Sequence, residues 1–85
     1  MVPEIFYVPS AFKHKFTKAD IVRAFETFIY EDQLEDFDNK YLLLGFNTHG
    51  NLIEVMYNRI GVDAIKVFHA MPCRKGFRKL INEQG

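Results

Sequence analysis

Cleavage of RNA by its own ribose 2′-hydroxyl needs a base for the hydroxyl, an acid for the leaving oxygen and a cation for the charge on the phosphorane. Side chains can supply all three. His14, Glu54, His69 and Arg74 are the residues of this chain whose types suit those tasks. Histidine gives and accepts protons near neutral pH because its unperturbed pKa is about 6.5. Arginine offers phosphate a planar fork of donors that stays charged. The residue types alone leave plainer readings open: His69 as a hydrogen-bonded histidine at a strand end, Glu54 as an exposed strand position, His49 as surface.

The stretch from Val67 to Lys79 concentrates this chemistry. An apolar strand ending in His69-Ala70-Met71 runs through Pro72 into Arg74, Lys75, Arg78 and Lys79, with no acid among these cations. A second basic pole is Lys13-His14-Lys15 with Lys18, and the acids Glu31, Asp32, Glu35, Asp36 and Asp38 crowd a third segment. The formal net charge of zero therefore hides separated poles. Both basic poles are either solvated faces or, brought together by the fold, one cationic surface suited to a phosphate backbone.

Other chemistries find little support. The three histidines fall on three different elements with no H-x-x-x-H spacing, so no metal site is expected. No glycine-rich phosphate loop precedes a helix. The lone cysteine, Cys73, rules out an internal disulfide and a cysteine-based zinc site and suits a reducing compartment. Beside Arg74 and Lys75 its thiolate would be favoured, yet a single thiol is more often inert. No run approaches the about 20 apolar residues of a membrane span, and Met1-Val2-Pro3-Glu4 does not resemble a signal peptide, which together predict a cytoplasmic protein.

Eighty-five residues, 48% of them hydrophobic and including nine Phe and four Tyr, predict a single compact domain over residues 1–85. A chain this short buries only about 60–65% of its unfolded surface, so modest stability is expected. Ile5 to Val8 reads as a first strand stopped by Pro9-Ser10. Thr17 caps a helix with Asp20 three residues on, and Ile21, Ala24, Phe25, Phe28 and Ile29 follow with the spacing of one buried stripe. The acidic segment, with Leu34 and Phe37 as its apolar residues, reads as a connection with room for a short turn or strand.

Tyr41–Phe46 and Leu52–Tyr57 form a hairpin across Asn47-Thr48-His49-Gly50-Asn51, where Gly and Asn tolerate positive φ. Pairing Phe46 with Asn51 would set Leu42 beside Val55, Leu44 beside Ile53 and Leu43 against Glu54. After a turn at Arg59–Asp63, a strand from Ala64 to Met71 completes a three-stranded antiparallel meander. Phe77, Leu80 and Ile81 mark a closing helix; its Gly76 costs about 1 kcal/mol relative to Ala, so the helix depends on docking. The expected class is α+β, helices packed on an antiparallel sheet.

The chain resembles small bacterial toxins of the BrnT and RelE-like kind. The resemblance lies in Lys13-His14, Thr17-Lys18-Ala19-Asp20-Ile21, Leu44-Gly45, Gly50-Asn51-Leu52-Ile53-Glu54-Val55 and, most specifically, His69-Ala70-Met71-Pro72-Cys73-Arg74-Lys75. Many such toxins have Gly where this chain has Lys15, and BrnT members usually begin with a Trp-bearing strand and end in a different Arg-containing block, where this chain has no Trp. The resemblance implies a RelE-like fold and a metal-independent endoribonuclease without cofactor that blocks translation, held in check by a cognate antitoxin in a hetero-oligomer. On that reading His14 and His69 share the acid and base work, Arg74 holds the scissile phosphate, and Glu54 orients a histidine or acts as base. Lys13, Lys15, Lys75, Arg78 and Lys79 would track the RNA backbone. The rivals are a non-catalytic module binding RNA or protein, and an inactive relative of the toxins.

Overall fold

The computed structural model describes residues 2–35 and 38–84; Asp36 and Phe37 of the acidic segment lie outside the described residues. The chain runs β1 (Glu4–Tyr7), a 3-10 turn (Pro9–Phe12), α1 (Lys18–Glu26), β2 (Tyr30–Gln33), β3 (Tyr41–Phe46), β4 (Leu52–Gly61), β5 (Ala64–Pro72) and α2 (Lys75–Gln84). It is an α+β protein, but the sheet corrects the expected meander. Five strands lie in the order β1-β5-β4-β3-β2, with β1 parallel to β5 and the other pairs antiparallel. The meander β3-β4-β5 is the middle of this sheet.

The acidic segment supplies one added edge. Tyr30-Glu31-Asp32-Gln33 pairs with Leu44 to Tyr41 although its composition is poor for a strand. Two local contacts outweigh propensity: Ile29 donates its N–H to the Leu44 carbonyl at 2.8 Å, and the Tyr57 hydroxyl bonds the Glu31 carboxylate. The other edge, β1, is fixed to β5 through Ile5 and Tyr7, which pack on the core beneath.

Helix α1 starts as its sequence requires. Thr17 and Asp20 form a reciprocal capping box, and Asp20 Oδ1 also accepts from the Thr48 N–H and hydroxyl at 3.1 and 2.6 Å. One carboxylate thus ties the helix start to the β3–β4 loop. The helix ends earlier than its apolar stripe predicts. The Thr27 hydroxyl donates to the Arg23 carbonyl and accepts the Phe46 N–H, turning the chain onto β3 and leaving Phe28 and Ile29 nearly half exposed beyond the helix. Ile21, Ala24 and Phe25 are the buried face. Gly45 lets that face approach: a Cβ there would stand 2.2 Å from the Ala24 carbonyl oxygen.

The hairpin register is one residue from the expected one. Asn47 and Asn51 close the loop, since Asn47 donates its N–H to the Asn51 carbonyl, and Asn47 Oδ1 accepts the N–H groups of His49 and Asn51. Gly50 at φ 79° completes a three-residue loop. Leu42 therefore faces Met56, Leu43 faces Val55 and Leu44 faces Glu54. The sheet separates two apolar clusters. Leu43, Ile53, Val55, Tyr57, Ile65, Val67 and Ala70 pack against α1, whereas Leu42, Leu44 and Cys73 pack against Phe77, Leu80 and Ile81 of α2. Each fully buried aliphatic side chain contributes about 1.5–3 kcal/mol relative to exposure. Glu54 lies on the α2 side of the sheet.

Candidate functional site

His69 reaches that side because β5 is irregular. Met56 pairs with His69 but Tyr57 pairs with Val67, so Phe68 is an extra residue, a β-bulge. Val67 and Ala70, three apart, both enter the α1 core. Regular alternation would have put His69 on the same face as Val67. With the bulge, His69 and Glu54 become diagonal neighbours on the α2 face, close enough for long side chains to meet.

Glu54 is fully buried and joins this neighbour to Arg74. Its Oε2 lies 2.9 Å from His69 Nε2 and accepts from Arg74 Nη2 at 2.7 Å. Its Oε1 accepts from the Arg74 backbone N–H at 3.0 Å, and Arg74 Nε lies 3.1 Å from both oxygens. Pro72, the last residue of β5, and Cys73, whose N–H donates to the Leu52 carbonyl, turn the chain so that Arg74 falls over β4. The guanidinium also stands 5.1 Å from the Phe77 ring centroid, and the side chain stays half exposed.

The electrostatics follow from those bonds. Burial alone would raise the Glu54 carboxyl, but hydrogen bonds from the Arg74 side chain and backbone, and from His69, hold it below the ordinary carboxylate range. Arg74 is raised in turn, chiefly by its hydrogen bond to Glu54. Glu54 is then an acceptor at neutral pH, which requires His69 Nε2 to carry the hydrogen and leaves Nδ1 for proton exchange.

His14 comes from the other direction. Strand β1 pairs only as far as Tyr7 with Val67, and the 3-10 turn follows the β5 edge beyond it. There the Ser10 hydroxyl donates to the carbonyl of the bulged Phe68 at 2.7 Å, and Ala11 is buried in the α1 core. Four residues after Ser10, the His14 ring stands edge-on to His69, 6.0 Å between centroids at 76°. Lys15 adopts φ 69°, the left-handed region that glycine favours, so the turn has the backbone form expected of a glycine there.

The four candidates named for chemistry are therefore contiguous: Arg74 and His69 share Glu54, and His69 meets His14. Glu54 is an interior residue, not the exposed position that its alternation with neutral residues allows. The cations divide. Lys13 and Lys15 flank His14 in solvent, and Lys75, Arg78 and Lys79 are exposed on α2, where Arg78 Nε also donates to the Cys73 carbonyl at 3.3 Å. His49 is exposed in the β3–β4 loop. The Cys73 thiol is buried and burial pushes its pKa up, the opposite of activation. Among the described residues no group of His, Cys, Asp and Glu is arranged to hold a metal ion, and no helix is long and apolar enough to cross a membrane.

Ser10 and the Phe68 bulge are what sequence reasoning missed. A serine after a proline and one extra residue in an apolar run carry no local signal of their joint role. No protein-family model matches the chain, and neither a curated protein nor a solved structure does.

Proposed function

We propose that the chain is a metal-independent endoribonuclease, the toxin of a toxin–antitoxin pair acting on RNA in the cytoplasm. The observation that carries the reading is the fully buried Glu54, which holds His69 and Arg74 on one carboxylate while His14 faces His69. Such a carboxylate fixes the imidazole's tautomer and orientation, as an orienting acid does in a hydrolytic triad. One imidazole removes the proton of a ribose 2′-hydroxyl as its oxygen bonds to phosphorus, and the other protonates the departing 5′-oxygen. The products are a 2′,3′-cyclic phosphate and a 5′-hydroxyl, with no net gain or loss of protons. Arg74 steadies the charge on the phosphoryl oxygens through Nη1 and the outer hydrogen of Nη2, since Nε and the inner edge of Nη2 are engaged by Glu54.

The partner that completes the reading is a cognate antitoxin whose acidic segment covers the exposed Lys75, Arg78 and Lys79. A second reading, a non-catalytic RNA- or protein-binding module, is favoured by one observation: Glu54 already engages the Nε edge of Arg74's fork. The deciding experiment incubates the purified chain with single-stranded RNA in the presence of EDTA and identifies the ends produced. Cyclic phosphate and 5′-hydroxyl ends, lost in a folded His69→Gln variant, support the enzyme. Intact RNA at concentrations that saturate binding leaves the binding module.

A further inference from the structure

We propose that the open part of the sheet beside His69, formed by Phe6, Lys66 and Phe68, is a stacking platform for the bases of single-stranded RNA. Its ligand class rests on the ribonuclease reading. Helix α2 covers only one half of its side of the sheet: the cluster beneath it draws on β2, β3 and β4 and takes no residue from β1 or β5. The β1–β5 half of that face lies outside the cover of α2.

What stands on it is aromatic and cationic. Ile5 and Tyr7 turn into the α1 core, so Phe6 between them projects from the opposite face, where it is 48% exposed. Lys66, likewise set between the inward Ile65 and Val67, is its partner in register. Phe68, the bulged residue next to His69, is partly exposed with the Lys40 ammonium 5.9 Å from its ring centroid. Among the described residues neither Phe6 nor Phe68 belongs to an apolar cluster.

Exposed rings interleaved with ammonium groups suit a strand whose bases are flat and whose backbone is anionic. Phe6 and Phe68 sit two residues apart on neighbouring strands, a separation of roughly 8 Å by strand geometry. That is more than twice the about 3.4 Å rise of stacked bases, so two bases on these rings must be splayed apart, as in an extended single strand. The platform is also continuous with the histidines, because Phe68 adjoins His69 and its carbonyl holds the turn that carries His14. Glu4 and Asp63, the acids of this strand pair, lie at its far end, at the Ala64 end of β5. A nucleotide chain entering over β1 would reach the cluster without crossing them.

The test uses a fluorescein-labelled, 2′-O-methylated RNA of about twelve unpaired nucleotides, within the usual site sizes, which 2′-hydroxyl attack cannot cleave. Phe6→Ala and Phe68→Ala should each weaken its binding about tenfold, with little change for an abasic oligomer of equal charge. Phe6→Leu, which keeps the apolar area but not the π face, should weaken it too and guards against a misfolded alanine variant. The chain has no tryptophan, so Phe6→Trp gives a unique emission that should be quenched at saturation. Parent-like affinity in all the folded Phe variants, or unquenched emission, overturns the platform and leaves the cleavage assay to judge the enzyme. Failure of the parent to bind the oligomer also overturns it, even if RNA is cleaved. Stacking-dependent binding with no cleavage keeps the platform and removes the ribonuclease.

Discussion

The Ser10 hydroxyl donates to the carbonyl of Phe68, 58 residues along the chain, at 2.7 Å. The bulge frees that carbonyl from regular pairing, and Ser10 both satisfies it and fixes the turn bearing His14. Ser10→Ala should cost about 1 kcal/mol of stability, the usual net worth of such a bond. Its larger effect should be on the His14–His69 contact, read as loss of the nuclear Overhauser effect between the rings and an about tenfold slower cleavage with RNA affinity retained. Ser10→Thr should restore both. Unchanged ring contacts in the alanine variant would show that the turn is held by other means.

Arg74 shields a buried charge, so its removal tests two things at once. Arg74→Ala leaves the Glu54 carboxylate without its fork and should destabilise the protein by about 2 kcal/mol, less than for a fully buried pair because Arg74 is half exposed. Adding Glu54→Gln should recover part of this, with a coupling energy above about 1 kcal/mol in denaturant titrations. Additive losses would mean the pair contributes little. Arg74→Lys, which keeps the charge but not the fork, should destabilise the protein less than Arg74→Ala.

Acid should weaken the fold through two carboxylates. Asp20 is buried, which alone raises its pKa, but the hydrogen bonds from Thr17 and Thr48 bring it down to about 2, and Glu54 is also lowered. A group depressed in the folded state contributes stability that is fully present above its unfolded pKa, about 3.9 for Asp, and lost as pH falls through the folded value. Urea midpoints should therefore drop between about pH 4 and pH 2. Asp20→Asn should lower stability at neutral pH and flatten that acid limb. A limb of unchanged steepness would assign the acid sensitivity to other groups.

Much of this architecture is legible in the residues and some is not. Thr17 and Asp20 announce the start of α1 because capping is local chemistry, and Phe77, Leu80 and Ile81 announce the face of α2 because periodicity is local too. The end of α1 is set by Thr27 bonding to Phe46, a contact 19 residues away, which no helical stripe encodes. Strand β2 hides in an acidic segment, since its pairing is imposed by β3 and by Tyr57. The parallel edge β1 depends on a long connection that propensity does not specify. Types and motif context pick out His14, Glu54, His69 and Arg74, but alternation alone would turn His69 away from Glu54. Only the extra residue at Phe68 brings them to one face.

Gly45 should be among the least replaceable positions. Gly45→Ala drives a methyl group into the Ala24 carbonyl, which is backbone and cannot rotate away. Separating α1 from β3 to make room should cost about 3 kcal/mol, at the upper end of ordinary overpacking. Gly76→Ala, whose added carbon meets nothing within 4 Å, should be neutral or stabilising. Comparable melting temperatures for the two variants would contradict the close approach.

The cations of α2 should serve inhibitor and RNA alike. Lys75→Glu with Lys79→Glu should weaken binding of both the proposed antitoxin and a generic RNA, with a shallower salt dependence for the RNA. Glu26→Lys on α1, across the sheet from α2, is the matched control. Glu31 is unsuitable, because it bonds the Tyr57 hydroxyl. Undiminished antitoxin affinity in the α2 variant would place the inhibitor on another surface.

The loop Thr48–Gly50 is exposed, and exposed hairpin tips ordinarily accept insertions and deletions. Here its length decides which side of the sheet carries a carboxylate. One residue more or fewer slips β4 against β3 and moves every β4 side chain to the other face. Glu54 would then lie among Leu43 and the residues under α1, while His69 and Arg74 would lose their shared acceptor. The Glu54–His69–Arg74 cluster is thus counted out by the length of a loop that contributes none of its members, and drift in that length would disperse the cluster as replacement of Glu54 would.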